Sequence, residues 1–243
     1  MKSIGFVVAL PAEARTLARQ RIGFGCQLEL PQGHWLMVSG AGPHNARIAA
    51  FRLIERKIGA LVSWGCAAAL DHSLNAGDLV LPERIVTPDG TGHAVSPGWR
   101  ERAHHALKPT LRITSGPLWG SPEIVASSAE KQMLHSANGA VAVDMESAAV
   151  ASVAEARGLP FLAVRAIADP ACMSLPRSVT VAVDERGDVN LPKLLRHALS
   201  HPAEFVALAR LGKAFNAAAN TLRRTVHLLG SDFLLPPPAA GGY

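Results

Sequence analysis

Residues 141–170 read VAVDMESAAVASVAEARGLPFLAVRAIADP, and this stretch decides the fold. An apolar run before Asp144, an Ala-rich segment that ends at Gly158, and a second apolar run over Phe161–Ile167 predict a strand, a helix and a strand. Strands that alternate with helices are typical of α/β domains. The stretch therefore predicts an α/β fold with an open sheet.

Acidic side chains stand at the carboxyl ends of both predicted strands, where open α/β sheets bind their ligands. Glu146 and Asp169 lie at these ends, and acids are rarely buried there unless they are paired. Helix capping is the alternative for Asp144, and Asp169 before Pro170 could open a turn. Capping does not account for Glu146, so these acids are candidate site residues.

Two segments, VDMESAAVA (143–151) and VRAIAD (164–169), resemble the paired signature of the nucleoside phosphorylase and nucleosidase superfamily, which cleaves N-glycosidic bonds. Within it, DMES, RAIADPA and Leu175-Pro176 resemble the hopanoid-associated phosphorylase group most closely. The resemblance implies a three-layer α/β/α sandwich with a central mixed, mostly parallel sheet. We divide the chain into a catalytic domain (1–190), a basic helical extension of the same domain (191–235) and a disordered tail (236–243).

Composition and length favour one large soluble domain. Hydrophobic residues make up 49% of the 243 residues and charged residues 18%, which suits a large core. The net charge of +5 would suit nucleic acid, but no basic run with interleaved aromatics occurs, and we predict no nucleic-acid partner. Three cysteines without a close pair argue against a disulfide framework or a zinc site. We expect a cytoplasmic protein, because no apolar run approaches the ~20 residues of a membrane span.

A third acid follows the first predicted strand. Ile4–Leu10 is apolar, Pro11 suits a helix start, and Glu13 then falls in the first helical turn, where the helix dipole alone could explain an acid. The resemblance places Glu13 where nucleosidases hold the carboxylate that activates water. Phosphorolytic relatives instead carry Gly-Asp-Pro-x-Arg to bind phosphate, and that motif is absent although Arg15 is near.

Contacts to the sugar and the base are implied by the same resemblance. Residues 65–69 read GCAAA where the superfamily usually has Gly-Ser/Thr-Ala-Gly-Gly, and a Cys66 thiol donates a hydrogen bond poorly. Ile124 and Val125 match the residues that flank the purine; an aromatic often stacks there, and Trp119 could replace it or simply pack in the core. The implied substrate-binding residues are Glu146, Met145, Val125, Ile124, Gly42, Cys66, Ala67 and Arg165.

Connecting segments carry further expectations. The runs Cys26–Leu30 and His34–Val38 predict a hairpin, and a helix is expected from Asn45 to about Lys57. Residues 87–98 are rich in Pro and Gly and predict a long loop that could cover the site. From residue 191 onward the chain reads as a basic amphipathic helix, which could contact an anionic membrane surface or pack on the sheet.

Three carboxyl groups suit the three tasks of purine N-glycosidic cleavage, which are protonating the base, holding the sugar and presenting a nucleophile. Asp169 is predicted to be the general acid toward N7 of adenine, which needs a pKa raised by burial. Glu146 is predicted to stay ionised and bind the ribose hydroxyls, with Met145 packing on the sugar. Glu13 would activate water, and Arg165 is a contact residue or a structural ion-pair partner.

Substrate and partners follow from the resemblance. It implies that adenosylhopane loses adenine to give a ribosyl-hopane in hopanoid biosynthesis, with water preferred and phosphate left open as a co-substrate. No metal or organic cofactor is implied. The alternatives are a methylthioadenosine or adenosylhomocysteine nucleosidase and, in another class, a non-catalytic nucleoside-binding module. We also expect a homo-oligomer, a dimer or larger, and allow contact of the carboxyl-terminal helix with the inner membrane surface.

Overall fold

A computed structural model of the chain describes residues 3–177, 179, 204–231 and 233–235. In chain order the described elements are β1 (Ile4–Val8), α1 (Pro11–Ala14), β2 (Gln27–Glu29), a 3₁₀ turn (Pro31–Gly33), β3 (Trp35–Val38), α2 (Pro43–Ile54), β4 (Ala60–Ala69), β5 (Leu79–Val80), β6 (Arg84–Val86), β7 (Gly92–Ala94), α3 (Pro97–Leu107), β8 (Ile113–Thr114), β9 (Pro117–Gly120), α4 (Ser128–Asn138), β10 (Ala142–Asp144), α5 (Ser147–Ala156), β11 (Phe161–Asp169) and α6 (Glu204–Leu229).

Three parallel strands, β1, β4 and β11, form the centre of the sheet. β4 lies between β1 and β11, and Trp64 is in register with Val8 on one side and Val164 on the other. β1 and β11 are buried along their whole length. Continuous apolar runs of this kind are typical of parallel strands that are covered on both faces.

The remaining strands make the sheet mixed. β3 pairs in parallel with β1, and β9 pairs in parallel with both β10 and β6. Antiparallel pairs join β10 to β4, β11 to β5, β2 to β3 and β6 to β7. Parallel pairs outnumber antiparallel pairs in the described sheet, and the predicted mixed, mostly parallel sheet is confirmed.

Helices cover both faces of this sheet. Gly5 faces α2, and a Cβ on it would lie 3.2 Å from Cβ of Leu53. The next residue, Phe6, points to the other face, where its ring contacts Trp64 and Phe233. α2 and α5 pack together on the first face, and α6 packs on β11 and against α3 on the second. The predicted three-layer α/β/α architecture is therefore confirmed.

Two local predictions are corrected by the structure. Residues 87–98 are not a long loop, because Gly92–Ala94 forms a strand that pairs with β6 and Pro97 begins α3. Helix α2 begins at Pro43 rather than Asn45 and ends at Ile54, since proline is suited to the first helical position. The predicted hairpin of β2 and β3 is confirmed.

The carboxyl-terminal part of the chain is helical, as predicted, over Glu204–Leu229. One stripe of α6, including Ala214, Ala218 and Leu222, is buried against the sheet, and its basic side chains are exposed. Residues 191–203 and the tail 236–243 lie outside the described residues. No helix within the described ranges is long and apolar enough to cross a membrane.

Phe233 anchors the end of the described chain, and its replacement tests this packing. Its ring lies 4.7 Å from that of Phe6, and its carbonyl accepts a 2.7 Å hydrogen bond from Nε1 of Trp99. We expect Phe233→Ala to lower the free energy of unfolding by about 3–5 kcal/mol, because a buried ring leaves a cavity. Urea denaturation measures this loss.

The matched control is Phe205→Ala, whose ring is 45% exposed on α6. A surface substitution of this kind should change stability by less than about 0.5 kcal/mol. Equal effects of the two substitutions would contradict the anchoring role of Phe233.

Candidate active site

A cavity of about 300 Å³ lies where β1, β4, β10 and β11 end. Its size is at the lower limit of typical small-molecule sites. The three acids predicted to meet, Glu13, Glu146 and Asp169, all line this one cavity. Each is more than nine-tenths buried. Residues far apart in the sequence are brought together beside β4. β1 and β11 run parallel to β4, whereas β10 is antiparallel to it and runs toward them from its far end.

Glu13 is held by two backbone amides. The amide of Leu10 donates to its Oε2 at 3.0 Å, and the amide of Cys66 donates to its Oε1 at 2.7 Å. Burial raises the pKa of Glu13 above its ordinary value, and the charge of Arg165 opposes that rise. The two amides fix the carboxylate orientation, and the raised pKa makes it a better base than a surface glutamate.

Arg165 is a buried cation that holds the polar floor of the site together. Its Nε donates to Oδ2 of Asp144 at 2.5 Å, and its Nη2 donates to the hydroxyls of Ser63 at 2.6 Å and Ser147 at 3.1 Å. Its Nη2 also lies 3.9 Å from Oε2 of Glu146. A buried guanidinium requires such partners, since an unpaired buried charge is very costly.

Glu146 lies above this cation and accepts a 2.8 Å hydrogen bond from the amide of Gly42. Gly42 has φ of 94°, a conformation that favours glycine and aims its amide at the carboxylate. Burial, followed by repulsion from Asp144, raises the pKa of Glu146 to about 7. The predicted ionised state of Glu146 therefore stays a prediction, since a group with this pKa is only partly ionised near pH 7.

Asp169 has a different environment from the other two acids. Nζ of Lys131 lies 2.6 Å from its Oδ2, yet neither carboxylate oxygen has a well-oriented hydrogen bond from the described residues. The contact is thus an ion pair without good hydrogen-bond geometry, and both carboxylate oxygens can still accept hydrogen bonds. Burial raises the pKa of Asp169, and the ammonium of Lys131 opposes that rise.

Cys66 is a contact residue at the cavity wall. Burial, and next the charge of Glu13, raises the pKa of its thiol well above the ordinary value. A thiol in this state is a poor nucleophile, because the reactive species is the thiolate. The structure thus favours the packing or contact role that the sequence suggested for Cys66.

The other predicted contact residues divide into two groups. Met145, Ile124, Val125 and Ala67 line the cavity with the acids. Gly42 and Arg165 are not among the described lining residues. Both instead contact Glu146 from behind the wall, as an amide donor and a nearby charge. Their predicted contact with the substrate stays a prediction.

Two aromatic and loop predictions also have clear outcomes. Trp119 packs in a small apolar cluster with Leu70, Val125 and Val143, and it does not replace a stacking aromatic in the cavity wall. The segment predicted to cover the site instead borders a separate cleft, which shares Met145 with it. His93 of that segment pairs with Glu155 at 2.8 Å.

Sequence reasoning missed several residues that shape the site. Leu211 and Phe215 of α6 line the cavity, and so does Val179, which follows β11 in the sequence. Ser63 carried a signal, because a hydroxyl within an apolar strand needs a partner. Lys131 carried none, since it stands in a polar stretch that reads as a solvated helix.

Comparison with protein families gives one match over most of the chain. A model described as the phosphorylase superfamily matches residues 3–200. This range includes all three cavity acids and the strands that carry them. The superfamily predicted from the paired signature is confirmed, whereas the hopanoid-associated group stays a prediction.

Curated relatives include 5′-methylthioadenosine/S-adenosylhomocysteine nucleosidases of Staphylococcus aureus strains JH9 and Newman. Each is 28% identical to this chain over 150 residues. The match covers 54% of this chain and 66% of each relative. The matched part is thus just under two thirds of the relatives' own length.

Solved structures with the same fold include a methylthioadenosine/adenosylhomocysteine nucleosidase from Neisseria meningitidis bound to methylthio-immucillin-A. It is 20% identical with a TM-score of 0.68, over 93% of this chain and 96% of that one. The futalosine hydrolase of Helicobacter pylori strain 26695 is 19% identical with a TM-score of 0.65, over 93% of this chain and 97% of that one. At this identity the likeness establishes the fold alone.

Gly65 lets the side chains of Glu13 and Arg165 approach the backbone of β4. A Cβ there would lie 2.6 Å from Oε1 of Glu13 and 2.7 Å from Nη1 of Arg165. We expect Gly65→Ala to lower the free energy of unfolding by about 1–3 kcal/mol, because both buried charged groups must move. Chemical denaturation measures this loss of stability. Gly23→Ala, which faces open space, is the control, and an equally small effect at Gly65 would contradict the close fit.

Glu146 should make stability depend on pH. Its folded-state pKa of about 7 lies above the ordinary value of 4.5. Between these values the unfolded chain has released a proton that the folded protein retains, so stability through this residue falls as pH rises toward 7. The free energy of unfolding of the wild-type protein should therefore fall more between about pH 5 and pH 7.5 than that of Glu146→Gln. The two losses should differ by at most about 3 kcal/mol.

Urea denaturation at both pH values measures this difference. The matched control is Glu101→Gln, an exposed glutamate on α3, which should follow the wild-type pH dependence. Parallel curves for Glu146→Gln and the wild-type protein would show that burial does not raise the pKa of Glu146.

Proposed function

Because the chain belongs to the phosphorylase superfamily, we propose that it is an enzyme that cleaves the N-glycosidic bond of an adenine nucleoside. One observation carries this proposal. Three buried carboxyl groups with different partners, those of Glu13, Glu146 and Asp169, line one nucleoside-sized cavity. Groups whose environments differ in this way can take different proton-transfer roles.

Asp169 acts on the base in this proposal. Departure of adenine places negative charge on the purine, and a proton from Asp169 to N7 neutralises it as the bond breaks. Burial favours the protonated acid, and both of its oxygens lack well-oriented donors among the described residues. The edge of the purine base can therefore form hydrogen bonds with the carboxyl group of Asp169. Ile124 and Val125 would flank the purine beside it.

Glu146 and Met145 hold the sugar. Ribose hydroxyls donate to a carboxylate, and this favours the ionised form of Glu146 once the nucleoside is bound. A pKa of about 7 leaves that change within reach near neutral pH. Met145 on the same wall would pack against the ribose ring.

Glu13 activates the nucleophile. The N9–C1′ electron pair goes to the purine, the oxygen of water bonds to C1′, and its proton goes to Glu13. The two backbone donors on Glu13 orient its carboxylate for this step. Asp169 ends deprotonated and Glu13 protonated, and exchange with solvent restores both.

Water is favoured over phosphate by the charge of the cavity. Its described lining includes five acids and no Lys, Arg or His; the acids are Glu13, Glu123, Asp144, Glu146 and Asp169. The described lining therefore offers a phosphate dianion no cation, and the nearby Arg165 and Lys131 are already paired with Asp144 and Asp169. Arg15, the basic residue nearest Glu13 in sequence, is exposed and borders a different cleft.

The 5′ substituent of the substrate is proposed to be apolar. Leu10, Leu175, Val179, Leu211 and Phe215 form an apolar part of the cavity wall. Such a wall suits the hopane of adenosylhopane, the substrate that the sequence resemblance implies, with the basic exposed face of α6 available to an anionic membrane surface. It equally suits the small methylthio group of methylthioadenosine, and the Staphylococcus aureus relatives favour that second candidate.

A rate assay separates these cases. The full chain is incubated with adenosine, methylthioadenosine and a 5′-long-alkyl adenosine, with and without phosphate, and free adenine is measured. We expect adenine release without phosphate, and a higher kcat/KM for long alkyl groups if a lipid is the natural substituent.

Asp169→Asn should lower kcat by roughly 10²–10⁴-fold, the usual contribution of general acid catalysis.

The matched control is Asp89→Asn, an exposed aspartate outside this cavity, which should keep wild-type turnover. Adenine release only with phosphate would contradict the choice of water. Nucleoside binding without any adenine release would favour the non-catalytic binding module over the enzyme. Preference for methylthioadenosine over the long-alkyl compound would favour the second candidate substrate.

A further inference from the structure

Lys131 is the most unusual buried side chain outside the predicted motifs. It is fully buried, whereas lysines are almost never so unless paired. Its Nζ contacts three oxygen atoms, namely Oδ2 of Asp169 at 2.6 Å, the carbonyl of Met173 at 2.7 Å and the carbonyl of Pro170 at 3.2 Å. The ammonium group donates hydrogen bonds to the two carbonyls, and its contact with Asp169 is an ion pair.

These contacts connect the acid to the segment that follows it. Met173 and Pro170 lie just beyond Asp169, and the same segment is tied to the start of α4 by two further bonds. The amide of Leu175 donates to the carbonyl of Ala126, and the amide of Ser128 donates to Oγ of Ser174. Lys131 therefore fixes both Asp169 and the backbone that leads to Leu175 on the cavity wall.

Other charged groups around the cavity do not duplicate this contact. α6 contributes the uncharged side chains of Leu211 and Phe215 to the lining, and Lys131 is the cation in contact with Asp169 among the described residues. The other charged groups on the wall are Glu13 on α1, Glu123 before α4, Asp144 at the end of β10 and Glu146 at the start of α5. Arg165 of β11 lies behind the wall.

We propose that Lys131 is a positioning residue for Asp169, which aims the carboxyl at the base and stabilises the negative charge left on it after proton transfer. This inference rests on the proposed nucleosidase function. In the low-dielectric cavity a fixed ammonium at ion-pair distance stabilises a developing carboxylate without reorganisation. The ammonium of Lys131 also disfavours protonation of Asp169. Removing the ammonium therefore changes the pH dependence of the reaction as well as its rate.

The experiment compares the pH profile of kcat for the wild-type protein, Lys131→Met and Lys131→Arg. In Lys131→Met we expect kcat at its optimum to fall roughly 10- to 100-fold, a part of the general acid contribution. The alkaline limb, where Asp169 loses its proton, should move up by about one pH unit or more, since a nearby cation lowers a carboxyl pKa by about that amount. Lys131→Arg should keep the limb near its wild-type position.

The matched control is Lys108→Met, an exposed lysine at the end of α3, which should leave the profile unchanged. Should Lys131→Met give no folded protein, Lys131→Gln, which keeps a donor for the carbonyls but no charge, carries the same comparison. An equal loss of kcat at every pH with an unmoved limb would overturn the inference, because it is the result of a merely structural lysine.

Failure of the inference differs from failure of the proposed function. Adenine release by the wild-type protein together with an unshifted limb in the uncharged Lys131 variants contradicts the inference alone. Absence of adenine release by the wild-type protein contradicts the proposed function and this inference with it.

Discussion

The buried guanidinium of Arg165 is the interaction on which the rest of the site depends. It lies beneath the cavity and holds Asp144 together with two serine hydroxyls, which leaves Glu146 within 3.9 Å of a positive charge. Without that cation, adjacent carboxyl groups at positions 144 and 146 would be buried at great cost. The absent Cβ of Gly65 is the steric counterpart of the same arrangement, because Glu13 and Arg165 pass over it.

Three carboxyl groups share one cavity, yet each is held differently. Glu13 has two backbone amides, Glu146 has one amide and a distant guanidinium, and Asp169 has an ammonium. Burial raises the pKa of all three acids, and the donors and charges around each one then modify that rise. A single cavity thus provides three carboxyl groups in different environments, although all of them come from Asp or Glu.

Much of this arrangement could be predicted from the sequence, for a physical reason. Strand and helix periodicity predicts that acids follow β1, β10 and β11, and the structure places all three candidate acids in one cavity. The antiparallel direction of β10 relative to β4 was not predicted, because strand pairing depends on tertiary contacts. The partners could not be predicted in the same way. Lys131 comes from a helix whose sequence reads as solvent-exposed, and Phe215 comes from a distant helix, because tertiary packing rather than local pattern brings them to the cavity.

The central claim is that the three acids surround one bound nucleoside. The most direct measurement is a crystal structure of the protein with a non-hydrolysable adenosine analogue. The account predicts the carboxyl of Asp169 within about 3.2 Å of N7, the carboxyl of Glu146 at the same distance from the ribose hydroxyls, and Glu13 facing C1′. An analogue bound outside this cavity, or bound in it with the purine away from Asp169, would contradict the account.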